Sequence, residues 1–313
     1  MSVLKRKDFR AVSIGQAALR SLMKSRDGEV HSVFERTFNI LIGRELVGVG
    51  RSGISLSPID LVTDIPADKT IPSLGIKKGM PVRMDGKRML VGDSIVISLE
   101  GVKRWRPPTS VKKHLGVKLI ARNLELAKKR AIDKDGDKGF GQLLRHIDAI
   151  ARGEAPAVSG LNRVARKALP HIIDLLRSAN SGDMDGVRDA ARRLIGLGPG
   201  LTPSADDMLT GFTATLWWVS RSLNKRKTLV DRINDAIISQ SGVTNLLSRQ
   251  LLQHAARGEV NQRLGELLKA IFTGKDSEIE PLVERVMKIG ETSGIDMTFG
   301  LLLGMKLGLE ITG

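Results

Sequence analysis

Met80-Pro-Val-Arg-Met-Asp-Gly-Lys-Arg-Met-Leu-Val91 has the layout of a β-hairpin, with two extended runs flanking Asp85-Gly86, a pair suited to a two-residue turn. Just beyond it, Ile95, Ile97 and Leu99 alternate with Val96 and Ser98 and give one face of period 2. Shorter extended runs lie at 33–42, 46–49 and 59–62, punctuated by Pro58, Pro66, Pro72 and Pro81. Short strands broken by proline suit a small barrel or sandwich better than a wound parallel sheet. Pro107-Pro108 closes this region.

Past it the period becomes helical. Residues 111–132 carry Leu115, Leu119, Leu124 and Leu126 among basic residues, and helical patterns recur near 161–179, 184–195, 205–222, 228–240, 244–257, 260–273, 277–289 and 295–311. Gly- and Asp-rich breaks separate most of them. No strand–helix–strand alternation appears, so a Rossmann core is not expected. The chain therefore reads as α+β, with an N-terminal helical segment over 1–27, a small mainly-β barrel or sandwich domain over 28–108, and a larger all-α domain over 109–313.

The 313 residues include 50 Lys+Arg and 34 Asp+Glu, and the difference, 50 − 34, is a net charge of +16. At 41% hydrophobic residues the chain has the means to build a core, which excludes wholesale disorder. Seven Phe, three Trp and no Tyr supply few stacking platforms, which weighs against sequence-tolerant single-strand binding. Zero cysteine excludes disulfides, thiolate nucleophiles and Cys-containing zinc or iron–sulfur sites. The N-terminal MSVLKRKDFRAVSIGQAALRSLM has no uninterrupted apolar stretch of roughly 7–15 residues and no small-residue cleavage site. The most apolar segment, Phe299 to Met305, is cut by Lys306 and is too short to span a bilayer. A soluble, cytoplasmic protein is the expectation.

Asp133-Lys-Asp-Gly-Asp-Lys-Gly-Phe-Gly141 begins like a calcium loop, but Lys138 and Leu144 stand where an EF-hand needs Gly and Glu. It reads as a solvated loop of alternating charge.

The most specific stretch is Gly196-Leu-Gly-Pro-Gly-Leu-Thr-Pro-Ser-Ala-Asp-Asp-Met-Leu-Thr-Gly211. Its glycines and prolines lead into a helix N-terminus, where unpaired N–H groups and the positive dipole end can hold an anion or oxyanion. It is neither a Walker A loop nor a dinucleotide fingerprint. Ordinary capping is the competing account: Ser204 as N-cap with Asp207 as its box partner, or Thr202 as N-cap before Pro203. Ser293-Gly-Ile-Asp-Met-Thr-Phe-Gly300 repeats the pattern, matching at Ser204/Ser293, Asp207/Asp296, Met208/Met297 and Gly211/Gly300. Each Ser would be an N-cap and each Asp would lie three residues on. The repeat predicts two helices whose N-termini converge on one site.

Asp206, Asp207 and Asp296 would repel a phosphate bound there. Three resolutions are open: the carboxylates only cap, they hold Mg²⁺, or they accept N–H bonds from an amide-like substrate. No other metal is in view, since neither motif contains histidine. Between the copies, Thr244 and Ser248 are four apart and would share a helix face. A triad of Ser248, His254 and an Asp lacks any nucleophile-elbow sequence.

Together these segments resemble the family of the AllH-type subunit of oxamate carbamoyltransferase, from about Val30 to the C-terminus. GLGPGLTPSADD at 196–207 is similar to a signature that usually reads G-L-G-x-G-L-T-P-S-G-D-D, and Phe34-Glu-Arg-Thr-Phe-Asn39, residues 244–258 and Ile289-Gly-Glu-Thr-Ser-Gly-Ile-Asp-Met297 add support. Ala205 replaces the usual Gly, and its methyl would narrow the space above the helix end that Gly294 keeps open in the second copy.

The resemblance implies a subunit acting with two other proteins in purine-ureide breakdown, moving a carbamoyl group between oxalurate, phosphate, oxamate and carbamoyl phosphate. That chemistry passes through a tetrahedral oxyanion and needs no covalent nucleophile. On this reading Ser204, Asp206, Asp207 and Asp296 are catalytic, and Gly198 and Gly200 shape the loop. Thr202, Thr244, Ser248, Ser293 and Gly294 line the substrate, and Arg36 and Asn39 take its carboxylate. No cofactor is required, though the carboxylates leave room for Mg²⁺. A non-catalytic subunit binding a small anion or a partner through the same loop is the alternative. Nucleic-acid binding is the weakest reading, because the basic clusters at 5–7, 77–78, 103–113, 128–130, 192–193 and 221–227 are spread along the chain as a solvated surface.

Overall fold

The computed structural model describes residues 6–134, 136–156 and 159–313, so Lys5 of the first basic cluster and Asp135 of the acidic loop lie outside the described residues. The chain divides between Pro107 and Pro108 into two units.

The first unit contains β1 (Lys7–Gly15), α1 (Gln16–Lys24), β2 (Asp27–Val33), β3 (Thr37–Ile42), β4 (Glu45–Gly50), β5 (Asp60–Thr63), β6 (Pro81–Asp85), β7 (Arg88–Val91), β8 (Ile95–Ser98) and β9 (Lys103–Trp105). The strand order is β5-β4-β3-β2-β6-β7-β8-β1-β9, and β5 also pairs with β1. That last pairing closes eight strands into a barrel, which settles barrel against sandwich. β9 continues along the edge of β1 that β8 leaves: β8 pairs with Lys7 to Arg10, and β9 with Ser13 to Gly15. Phe38, Ile40, Val47, Val49 and Leu61 fill the interior from adjacent strands. The β6–β7 turn is Gly86-Lys87, one residue later than the sequence suggested, because Asp85 already pairs with Arg88. Gly86 has φ 58°, the glycine-first arrangement of a tight hairpin.

The expected helical segment over 1–27 is corrected: among its described residues only Gln16–Lys24 is helical, and Lys7–Gly15 is the strand that closes the barrel. Its alternation is hidden by a bulge. The register against β5 shifts between Ala11 and Ser13, so the buried Ala11 and Ile14 fall three residues apart and Val12 is left exposed.

The second unit contains α2 (Val117–Asp133), α3 (Ile147–Ala151), α4 (Arg163–Ser181), α5 (Met184–Leu194), α6 (Ser204–Ser222), α7 (Lys227–Ser239), α8 (Leu246–Ala255), α9 (Gln262–Thr273), α10 (Asp276–Met287) and α11 (Ser293–Thr312). Nine of these answer to the periodic stretches; α3, five residues long, is too short to show a period. The unit is built around α6 and α11, which are buried on nearly every face, as an all-round apolar pattern requires. Gly300 packs on Met208 and Phe212, Gly304 on Phe212 and Thr215, and Gly308 on Val219. Contacts that advance together along both helices make them parallel, so their N-termini lie at the same end.

Candidate functional site

The loop before α6 is held by its own backbone and by one carboxylate. Gly198 has φ 131°, and a Cβ there would come within 2.5 Å of Ser204 N, so only glycine lets the loop fold back on the helix start. The Leu197 carbonyl accepts the Ala205 N–H at 3.0 Å. Asp206 straps both sides: Oδ1 accepts the Gly196 N–H at 2.7 Å and Oδ2 accepts the Thr244 hydroxyl at 2.6 Å. From α8, Asn245 Nδ2 and Ser248 Oγ donate to the Leu201 carbonyl at 2.8 and 3.3 Å. Gly200, at φ 90°, is exposed with open space beside it.

The capping register expected from sequence is shifted by one. Pro203 is the N-cap of α6 and Thr292 that of α11, so Ser204 and Ser293 are the first helical residues and neither caps. Pro203 has extended ψ 145°, and its carbonyl accepts the N–H groups of both Asp206 and Asp207. The Thr292 carbonyl takes the Asp296 N–H at 2.9 Å. Because both copies shift together, the equivalence of Ser204 with Ser293 and of Asp207 with Asp296 is kept.

The freed serine side chains reach across to the other helix. The hydroxyls of Ser293 and Thr202 lie against the Asp207 carboxyl, and those of Ser204 and Thr292 against Asp296. Thr202 Oγ1 and Ser293 Oγ are 3.2 Å apart. Asp296 Oδ1 also accepts the Phe140 N–H at 2.7 Å. The two carboxyls are 4% and 0% exposed, and the Oδ2 of each has no hydrogen-bond partner.

Burial sets their protonation. Desolvation, opposed by the Ser293 and Thr202 hydroxyls and reinforced by Asp296 and Asp206, pushes the Asp207 carboxyl up to about 8. Desolvation raises Asp296 to about 6 against the Phe140 N–H and the Ser204 and Thr292 hydroxyls. Asp206 is raised by the same cause, against its bonds from the Thr244 hydroxyl and the Gly196 N–H. Asp207 is therefore mostly uncharged at neutral pH, which weakens the repulsion that three carboxylates would exert on an anion.

Several expected roles change. Thr244 is extended, at φ −103° and ψ 174°, and precedes α8, whose cap is Asn245; Thr244 and Ser248 do not share a helix face but hold the 201–206 loop from two directions. Ala205 is fully buried in the helical core, so its methyl is packed inside. A Cβ on Gly294 would lie 2.9 Å from Met287 Cα, so the end of α10 fills the space expected to be open there. His254 Nδ1 bonds Glu259 at 2.6 Å and the Ser248 hydroxyl goes to Leu201, which leaves no triad. In the barrel unit, Asn39 is buried on β3 and donates to Ser32 Oγ at 2.9 Å, and Arg36 is exposed in the β2–β3 turn.

Phe140 and Thr292 are the partners that sequence reasoning missed. The acidic loop is not wholly solvated: Phe140 is fully buried, and Gly139, at φ 55°, leaves no room for a Cβ beside the Asp296 carboxyl. The Gly-Phe-Gly that ends the loop was the available signal. Among the described residues no group of three or more His, Cys, Asp or Glu side chains is disposed to hold a metal. No helix among the described residues is long and apolar enough to cross a membrane.

A family model described as oxamate carbamoyltransferase subunit AllH matches residues 194–305, the span holding both copies of the repeated motif. A second model, the AllH family N-terminal domain, matches residues 10–104, the barrel. No solved structure matches the chain. With both units matched, each by the model for its own part, the chain belongs to the AllH family.

Proposed function

We propose that the protein is a subunit of a carbamoyl-transferring enzyme that works with partner subunits in the cytoplasm, and that the joined N-termini of α6 and α11 bind the reacting anion. The observation that carries this reading is the reciprocal pairing of Ser204 with Asp296 and Ser293 with Asp207 at two parallel helix starts. Parallel helices with their N-termini at one end add their dipoles there, which favours an anion.

In the reaction with oxalurate, a phosphate oxygen attacks the ureido carbon, a tetrahedral oxyanion forms, and cleavage of the C–N bond gives oxamate and carbamoyl phosphate. On this reading the Thr202 and Ser293 hydroxyls, both half-buried, are the donors that meet the charge that develops. Each well-placed donor of this kind contributes about 3 kcal/mol to the transition state. The exposed Gly200 forms the rim, and Asp206, Thr244 and Ser248 hold the loop in place.

Carbamoyl phosphate formation from oxalurate and phosphate, with the partner subunits present, tests the reading. Ser293→Ala and Thr202→Val are expected to lower the rate by about 10²-fold. Full activity in both would place the chemistry elsewhere.

The near-complete burial of Asp207 and Asp296 favours a second reading, a non-catalytic subunit that binds an anion or partner through the same loop. Anion binding by the isolated chain, with no turnover in any partner combination, would select it.

A further inference from the structure

The outer wall of the barrel carries a row of polar side chains across adjacent strands. Arg88 of β7 pairs in register with Ser98 of β8, and Ser98 with Arg10 of β1. Their neighbours along the strands, Met89, Ile97 and Ala11, belong to the barrel core, so the alternation of a strand turns Arg88, Ser98 and Arg10 outward. On the other side of β1, Asp64 ends the row, and its Oδ1 accepts the Arg10 N–H at 2.7 Å. These residues, with Lys87 from the β6–β7 turn and Glu100 beyond β8, line one cavity of about 510 Å³, a size that suits a small ligand. Val96, two residues before Ser98 and so on the same face, supplies an apolar floor: it is 5% exposed although it is not part of the barrel core.

The charges around this cavity do not neutralise one another. Both signs line the same space, yet among the described residues the side chains of Arg10, Lys87, Arg88 and Glu100 make no ion pair and no hydrogen bond. Asp8, the remaining carboxylate, is paired with Arg6 at 3.3 Å. Two strand spacings put the Cα atoms of Arg10 and Arg88 about 10 Å apart, a gap that two arginine side chains can close on one anionic group above Ser98. Asp64 and Glu100 decide what that group is attached to. A phosphate or a dicarboxylate would gain from the cations and lose to these two carboxylates, whereas a ligand with one carboxylate and N–H donors uses both signs.

We infer that this cavity is a ligand site of the barrel, and that it takes a small carboxylate carrying N–H groups. The carboxylate lies between Arg10 and Arg88, and the N–H groups turn to Asp64 and Glu100. The site belongs to the barrel unit alone and does not depend on the carbamoyl-transfer reading.

Titration of the full chain with glycine, whose nitrogen is an ammonium, and with oxamate, whose nitrogen is an amide, tests the site. Acetate and inorganic phosphate are the probes without N–H groups. The readout is the nuclear magnetic resonance shift of the Ser98 and Val96 backbone amides, which report this cavity. A saturable shift is expected with glycine or oxamate, and the tighter of the two names the form of the nitrogen. Acetate and phosphate should bind about tenfold more weakly, and Arg10→Gln and Arg88→Gln should each weaken binding by about tenfold. Both arginine side chains are exposed and unbonded, so the variants keep the fold, and unchanged amide positions in the rest of the barrel check this. No saturable shift with glycine or oxamate, or binding that survives both substitutions, overturns the site. Acetate or phosphate binding as tightly as the nitrogen-bearing probes overturns the role of Asp64 and Glu100.

Discussion

Gly211 of α6 and Gly300 of α11 are equivalent points of one helix crossing, each pressed against the backbone of the other helix. A Cβ on Gly211 would strike the Met297 carbonyl and lie 3.0 Å from Leu301 N; one on Gly300 would strike the Met208 carbonyl and lie 3.0 Å from Phe212 N. A backbone carbonyl cannot rotate away as a side chain can, so alanine at either place forces the helices apart beside the Asp207–Asp296 site. Gly211→Ala is expected to cost about 1–3 kcal/mol despite its better helix propensity. The readout is a lower urea midpoint at unchanged slope. Gly265→Ala on α9 is the control: its nearest neighbours would lie 3.8 and 3.9 Å away, and it should gain up to about 1 kcal/mol. Equal stability of Gly211→Ala and wild type would contradict the close crossing.

Thr244→Val removes the hydroxyl that donates to Asp206 Oδ2 and leaves that oxygen bare in a site where Asp206 is 1% exposed. The expected loss is about 1–3 kcal/mol. Because Asp206 also holds the Gly196 N–H, the strain passes to the glycine loop, and the Gly196 amide should exchange its hydrogen faster. Unchanged exchange would show that the loop does not depend on this strap.

Asn123 of α2 tests a contact between distant parts of the helical unit. Its Nδ2 is directed at the Ala270, Ile271 and Gly274 carbonyls, at 3.5, 3.2 and 3.2 Å, where α9 ends and only the Ala270 carbonyl of the three takes the Gly274 N–H. Asn123 is 2% exposed, so water cannot easily replace it. Asn123→Ala is expected to cost about 1–3 kcal/mol, whereas an unchanged thermal midpoint would mean that the α9 end is satisfied another way.

The hairpin at 80–91 could be read because period 2 and a turn glycine are local signals, whereas closure of the barrel depends on β1, whose alternation the Ala11–Ser13 bulge interrupts. The repeat at 204–211 and 293–300 was legible for a related reason: close packing demands the same small residue at the same step on both helices. Its capping register was not. Proline at 203 and threonine at 292 leave the helix start to backbone geometry, and serine one position later looks like a cap in either frame. The Phe140 N–H on Asp296 joins residues 156 apart, and nothing local announces it. Asp206 and Asp207 are adjacent and chemically identical in sequence. Only the fold separates them, turning one towards Gly196 and Thr244 and the other towards α11.

That separation makes stability depend on pH in a definite direction. The folded chain holds a proton on Asp207 up to about 8, against 3.8 for an ordinary Asp. Between those values the folded state binds more protons than the unfolded one, so stability falls as pH rises through the window. The contribution is complete below the unfolded value and is lost on passing about 8. Asp296, and Asp60 of the barrel, act in the same sense, but each is raised only to about 6. Above pH 6 the remaining slope belongs chiefly to Asp207. Asp207→Asn should therefore flatten the fall in urea midpoint between pH 6 and 8 and keep the fall between 4 and 6. Asp60→Asn should change only the lower part. A wild-type slope that persists above pH 6 in Asp207→Asn would assign that proton to another group.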